Sequence, residues 1–215
     1  MLKTRVKASR VTNLTDARYF AAWEVEWVGF SQDPSSEYYV NPSDLIAMRE
    51  WLTGPKIVGE FGMQETISIA ETAALLNLDA IQLTGFEAPK LAQSLKEYSV
   101  ITEIVIDQQT NPAWVVEQCQ ALAPFCENII LDFSKNDLSW QYLDDHAELQ
   151  THHLKVLCDQ FPVLLSINCS AEDLPEMLTE LNPQGLNLFG GEEEKVGVKT
   201  FDEIDEIFEL LYEEG

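Results

Sequence analysis

The sequence predicts an α/β fold of the (β/α)8 barrel type, one domain over residues 1–215 with eight parallel strands and surrounding helices, on three observations. Short apolar runs of strand type alternate with longer stretches of helical period from one end to the other, eight pairs in all. The strands are apolar nearly throughout, as in a parallel sheet covered on both faces, and eight parallel strands is the number that closes into a barrel. The first βα turn, Ser9-Arg10-Val11-Thr12-Asn13, has no glycine. The competing open doubly wound sheet usually carries a Gly-rich turn there and seldom needs eight strands in so short a chain.

In chain order, the strand candidates are residues 4–8, 27–30, 56–61, 80–83, 100–106, 128–132, 163–167 and 185–189, with a helical stretch after each. After the second strand, Asn41-Pro42 stands before SDLIAMREWL, an N-cap amide followed by a first-turn proline. The stretch after the third, residues 64–76, repeats small and apolar residues at helical spacing. Asn111-Pro112 opens AWVVEQCQAL after the fifth. The sixth connection, residues 138–161, is interrupted by the polar DDHAELQTHH, a loop or an extra turn. Ser170 precedes AEDLPEMLTEL after the seventh strand, and Thr200 precedes FDEIDEIFELLYEE after the eighth.

Asp and Glu number 37 against 13 Lys and Arg, a formal charge of 13 − 37 = −24. With 46% hydrophobic residues the chain still has material for a core, which excludes an acidic disordered tail. The negative field repels phosphate backbones and anionic membranes, so the partners expected are a small-molecule ligand in the barrel mouth and, at most, a second copy of the chain: monomer or homodimer, no nucleic acid, no membrane. No apolar run approaches the roughly 18–20 residues needed to cross a bilayer. The four cysteines (Cys119, Cys126, Cys158, Cys169) form no C-x-x-C pair, and MLKTRV has no apolar signal core behind it. A cytoplasmic protein with reduced thiols is the expectation.

In a barrel the chemistry sits at the C-terminal ends of the strands. Those positions hold Ser9, Ser31, Glu60, Gln82, Thr84, Glu103, Asp107, Asp132, Ser166, Asn168, Asn187 and Gly190-Gly191, rich in acids and amides and poor in bases. His146, His152 and His153 lie away from any strand end and read as exposed polar residues of the sixth connection. Glu60 interrupts an apolar strand on the face of Val58, and a carboxylate in a barrel wall is costly unless paired or hydrated. Glu103 and Asp107 share a face by alternation. With Asp132 they form either an oxygen-rich cluster for a hard cation such as magnesium or a set of groups that face the helices or pair with Lys7 or Arg10.

The strand ends carry a resemblance. Lys7-Ala8-Ser9-Arg10-Val11-Thr12 with Asp16-Ala17, Val28-Gly29-Phe30, Tyr39-Val40-Asn41-Pro42, Val58-Gly59-Glu60-Phe61, Leu78-Asp79-Ala80-Ile81-Gln82-Leu83-Thr84-Gly85, Leu131-Asp132 and Gly197-Val198-Lys199 together resemble the phosphoribosylanthranilate isomerase family over almost the whole chain. The LDAIQLTG stretch is the most specific of these pieces. The resemblance implies a TIM barrel that performs an Amadori rearrangement in tryptophan biosynthesis, with no cofactor and no metal. It places the general acid at Asp132 and the general base at Ser9, where the family has cysteine. Lys7 on the same strand face stands beside that base position, and Gln82, Asn168, Asn187, Gly190 and Gly191 fall at substrate or phosphate-binding positions.

Several of these positions depart from the family pattern. An alcohol cannot abstract a proton as a thiol of ordinary pKa about 8.5 does, and acidic surroundings keep Lys7 an ammonium without a lone pair. Arg10 replaces a glycine, and Tyr38 stands where an arginine is expected before the Tyr-Val-x-Pro segment. After Asp132 a Gly-Gly-Thr-Gly segment has become Phe133-Ser134-Lys135-Asn136-Asp137. The Ala-Gly-Gly after the seventh strand is Ser166-Ile167-Asn168. After the eighth, Asn187 replaces an aspartate, Phe189-Gly190-Gly191 replaces Ser-Ser-Gly, and Glu192-Glu193-Glu194 follow, opposing a phosphate. These changes imply an isomerase-like barrel that lacks native-level activity and binds another small molecule or partner. The alternative is an active isomerase with Asp132 as acid and a relocated base, Lys7-assisted Ser9 or another carboxylate.

Overall fold

The computed structural model describes residues 1–85, 87–189, 193–195, 198, 199 and 201–213. Eight strands follow one another in sequence order around a closed barrel: β1 (Arg5–Ser9), β2 (Trp27–Ser31), β3 (Lys56–Phe61), β4 (Ala80–Thr84), β5 (Ser99–Val105), β6 (Asn128–Asp132), β7 (Val163–Ser166) and β8 (Gly185–Phe189). The pairs β1–β2, β2–β3, β5–β6, β6–β7 and β7–β8 are parallel. Helices α1 (Leu14–Ala22), α2 (Pro42–Arg49), α3 (Thr66–Leu76), α4 (Ala88–Ser94), α5 (Pro112–Leu122), α6 (Leu143–His146), α7 (Thr151–Gln160), α8 (Leu174–Leu181) and α9 (Asp202–Leu211) lie between and after the strands. Beyond β8 a short antiparallel pair, β9 (Glu193–Lys195) and β10 (Val198–Lys199), precedes α9.

Helix ends follow from side-chain chemistry. Asn41 and Asn111 accept from the Ser43 and Ala113 amides with prolines at the first helical positions, as the sequence predicts, and Asn13 does the same for α1 through the Asp16 amide. Asn77 and Asn182 end α3 and α8 in the left-handed region, which asparagine tolerates better than most residues. Ser170 does not start α8. Its hydroxyl caps the Asp173 amide at 3.2 Å in a turn, and the helix begins at Leu174 with Pro175 in its first turn. After β6 come two 3-10 turns (Ser134–Asn136 and Trp140–Tyr142), and the polar stretch DDHAELQTHH then divides between the end of the four-residue α6, a non-helical break and the start of α7. Strand β1 runs to Ser9 rather than Ala8, and β5 stops at Val105. Asp107 therefore lies beyond the strand. Its carboxylate accepts from the Thr110 hydroxyl and the Gln109 amide in an exposed turn.

Packing divides the chain into two compact units, residues 1–82 with 187–215 and residues 83–186. The first has a core of Trp27, Phe20, Phe30, Ile69 and Phe208. Aromatic pairs join α1 to the C-terminal segment, Tyr19 stacking on Phe201 at 3.9 Å and Trp23 on Phe208 at 5.2 Å. The second is centred on Leu83, Ile101, Ile106, Phe133 and Leu154, all fully buried. Among the described residues no helix is long and apolar enough to cross a membrane.

Candidate active site

In the first unit the end of β1 carries a buried polar chain. Lys7 has no solvent exposure, and its Nζ donates to Ser9 Oγ at 2.5 Å and to Glu60 Oε1 at 2.6 Å. Ser9 in turn donates its hydroxyl to Asn187 Oδ1 on β8 at 2.7 Å. Glu60, on β3 and 9% exposed, also receives the Arg10 backbone N–H at 3.3 Å through Oε2. Of the two sequence alternatives for Glu60, the geometry is that of the ion pair with Lys7.

The strand between them makes the pairing feasible. A Cβ at Gly29 of β2 would lie 2.1 Å from Glu60 Oε1 and 2.7 Å from Lys7 Nζ, so only glycine leaves room for the pair to meet. The hydrogen-bond directions also fix what Ser9 can do. Its oxygen accepts from an ammonium and its proton goes to an amide oxygen, so no base removes that proton.

Arg10 sits in the left-handed region at φ 57°, unusual for a residue other than glycine. Its guanidinium packs over the Phe189 ring at 4.2 Å and the Tyr38 ring at 5.3 Å. Gln82 is buried, and its Oε1 has no hydrogen-bond partner among the described residues. Gly190, Gly191, Glu192, Gly197 and Thr200 lie outside the described residues.

The second unit holds Asp132 at the end of β6, fully buried. Its Oδ1 accepts the Ser134 hydroxyl at 2.6 Å and the Lys135 backbone N–H at 3.1 Å. Lys135 reaches across with its side chain: Nζ lies 2.5 Å from Glu103 Oε2 on β5 and 3.9 Å from Asp132 Oδ2. The Thr84 hydroxyl of β4 donates to the same Glu103 oxygen at 2.9 Å. Burial pushes the Glu103 carboxyl up from its ordinary range, and the charge and hydrogen bond of Asp132 add to this. Lys135 pulls the other way. Asn168, exposed after β7, has its N–H on the Leu138 carbonyl at 3.4 Å and its carbonyl on the Trp140 N–H at 2.9 Å.

Thiols do not replace the absent cysteine base. Burial pushes Cys119 and Cys158 up to about 12 and Cys169 to about 11, far from the thiolate form at neutral pH. His146 and His152 are exposed. His153 is half-buried, and its Nδ1 accepts the Gln150 N–H at 3.2 Å as part of the α7 cap. Among the described residues no three His, Cys, Asp or Glu side chains converge as a metal site. Sequence reasoning paired Lys7 with Glu60 as one option but missed Lys135. The signal for Lys135 was its position three residues beyond Asp132, in a turn that had lost its glycines.

A family model described as N-(5'-phosphoribosyl)anthranilate (PRA) isomerase matches residues 6–210. The chain is similar to the N-(5'-phosphoribosyl)anthranilate isomerase of Trichormus variabilis, 28% identical over 96% of this chain and 98% of that one. To the enzyme of the same name from Gloeothece citriformis it is 25% identical over 97% and 94%. Among solved structures it superposes on the phosphoribosyl anthranilate isomerases of Thermotoga maritima (TM-score 0.78) and Thermus thermophilus (TM-score 0.76). Each of these is 25% identical over 97% of this chain and 98% of the other. With the barrel fold and a family match that runs over residues 6–210, the chain belongs to the phosphoribosylanthranilate isomerase family.

Proposed function

We propose that the chain isomerises N-(5'-phosphoribosyl)anthranilate, converting the aminoaldose to an aminoketose. The observation that carries the reading is Asp132, fully buried at the end of β6 with Oδ1 accepting from the Ser134 hydroxyl and the Lys135 amide, the residue to which the family resemblance gives the acid's role. Full-length similarity to isomerases supports it, as does a similar solved isomerase (TM-score 0.74) in complex with reduced 1-(o-carboxyphenylamino)-1-deoxyribulose 5-phosphate.

The rearrangement needs a proton delivered to the ribose ring oxygen, so that the ring C–O bond breaks and the C1–N bond becomes an iminium. It also needs a base for the C2 proton, whose electron pair then forms the C1–C2 double bond of the enamine. Asp132 supplies the first proton. For the second step Glu60 replaces Ser9 as the base. Its carboxyl lies one lysine away from Ser9, with Oε2 bonded only to a long backbone donor among the contacts described. Lys7 and Ser9 position it, with Asn187 anchoring Ser9. Gln82, Asn168, Asn187, Gly190 and Gly191 remain the substrate-binding set.

A second reading is that isomerase activity has been lost and the mouth takes a different small molecule. Arg10 favours it, because a guanidinium over Phe189 and Tyr38 fills space that the family leaves to a glycine and a substrate-facing arginine. Rescue of a tryptophan auxotroph lacking its own isomerase separates the two. Growth supports the isomerase, whereas failure of a well-expressed, folded chain to rescue supports the second reading. In either case the chain acts as a soluble cytoplasmic protein.

A further inference from the structure

Arg10 takes no part in the proton transfers above, yet the first unit holds it in place from several sides. Its φ of 57° is one that glycine adopts freely and arginine does not. The backbone around it is pinned. The Arg10 N–H donates to Glu60 Oε2 at 3.3 Å, and the Val11 N–H donates to the Gly29 carbonyl at 3.0 Å. The guanidinium lies 4.2 Å from the ring centre of Phe189, the last residue of β8, and 5.3 Å from that of Tyr38. The segment carrying Tyr38 is tied to the end of β2: Tyr39 bridges to Ser31, and the Val40 N–H donates to the Ser31 carbonyl at 3.0 Å. An outlier backbone kept by this many contacts points to a use for the side chain it presents.

The chemistry of the substrate supplies that use. N-(5'-phosphoribosyl)anthranilate carries a phosphate on the ribose and a carboxylate on the benzene ring, ortho to the nitrogen that bears C1. A chain of charge −24 repels such an anion and needs a local cation to hold it. Of Lys7 and Arg10, the two cations at the end of β1, Lys7 has no solvent exposure and serves Glu60 and Ser9. Arg10 is half-buried. Rings packed against a guanidinium fix its plane, and a carboxylate bonds within that plane to two N–H groups at once. The rings also offer an apolar wall that suits a benzoate and does nothing for a phosphate.

We infer that Arg10 recognises the anthranilate carboxylate, with Phe189 and Tyr38 beside the benzene ring. The inference rests on the isomerase reading. Because the Arg10 N–H also holds Glu60, the group that anchors the aromatic end and the proposed base sit on one short piece of backbone. An anchored carboxylate therefore sets the position of C1 and C2 relative to that base.

The test compares two ligands by titration calorimetry on the full chain. One is reduced 1-(o-carboxyphenylamino)-1-deoxyribulose 5-phosphate, and the other is the same compound without its carboxyl group. Wild type should bind the carboxylated compound about 10–100-fold more tightly, the range of a charge-assisted contact. Arg10→Gly suits the backbone conformation, so the variant should stay folded by circular dichroism. It should reduce the preference to under about threefold while leaving the affinity for the carboxyl-free compound nearly unchanged. Arg10→Lys keeps the charge without the fork and should retain part of the preference. In turnover, Arg10→Gly should raise KM about tenfold or more with kcat changed far less. Equal weakening of both compounds in Arg10→Gly would assign the guanidinium to the phosphate or to the scaffold and overturn the inference. An undiminished preference would overturn it too, and in both cases wild-type turnover leaves the isomerase standing. No turnover in the wild type overturns the isomerase reading, and the inference with it.

Discussion

Replacing Lys7 by Met puts an apolar side chain of similar length into a fully buried position and leaves the Glu60 carboxylate beside it without its ammonium. At 2.6 Å the gross attraction of the pair is about 6 kcal/mol for an effective dielectric near 20. Desolvation offsets much of it in the intact pair. Deleting one partner, however, strands a charge that only the Arg10 amide at 3.3 Å still meets among the described contacts. The expected cost is about 3–5 kcal/mol, or a fall of about 6–20 °C in Tm for a chain of this size. Urea unfolding with m-values gives the stability directly. The double variant Lys7→Met/Glu60→Leu removes both charges and should recover most of the loss. Arg5→Ala is the control: its pair with Glu26 has side chains 29% and 30% exposed, and its loss should cost no more than about 1 kcal/mol. If Lys7→Met cost under about 1 kcal/mol, or the double variant were merely additive, the buried pair would not be what holds the end of β1.

Gly29→Ala places a methyl 2.1 Å from Glu60 Oε1 and should destabilise by about 1–3 kcal/mol while lowering turnover, read by urea unfolding and steady-state rates. Glu60→Gln should lower kcat about 10²–10⁴-fold, whereas Ser9→Ala should lower it far less; the reverse order would return the base to Ser9. The raised Glu103 carboxyl has a sign for stability. Its contribution is present below the unfolded-state value of about 4.3 and is lost as pH rises through the raised folded value, so Tm should decline over that window in wild type and less so in Glu103→Gln. Cys119 and Cys158 should resist alkylation at pH 8 in the native protein and react only on unfolding, followed by mass spectrometry.

What could be read from the sequence follows from the range of the forces involved. Strand and helix periods are local, and all eight strands appear within a residue or so of their expected places. Asn41-Pro42 and Asn111-Pro112 cap as written because a cap needs only its next few residues. Ser170 misled because the same hydroxyl caps a lone turn as readily as a helix, and Pro175 decides which. The site was legible as a set of positions, since alternation places Lys7 with Ser9 and isolates Glu60. Which acid meets which base was not. Lys7 reaches Glu60 only because Gly29 stands in the strand between them. Lys135 reaches Glu103 only because the 3-10 turn after β6 folds its side chain back, and neither is a property of one segment.

The most direct test is turnover of N-(5'-phosphoribosyl)anthranilate by the purified protein beside its Asp132→Asn variant, followed by loss of substrate fluorescence. Wild-type turnover well above the uncatalysed rate, with a loss of at least a thousandfold in Asp132→Asn at unchanged folding, is the expected result. No turnover in the wild type, or equal turnover in the two, would contradict an isomerase driven by Asp132.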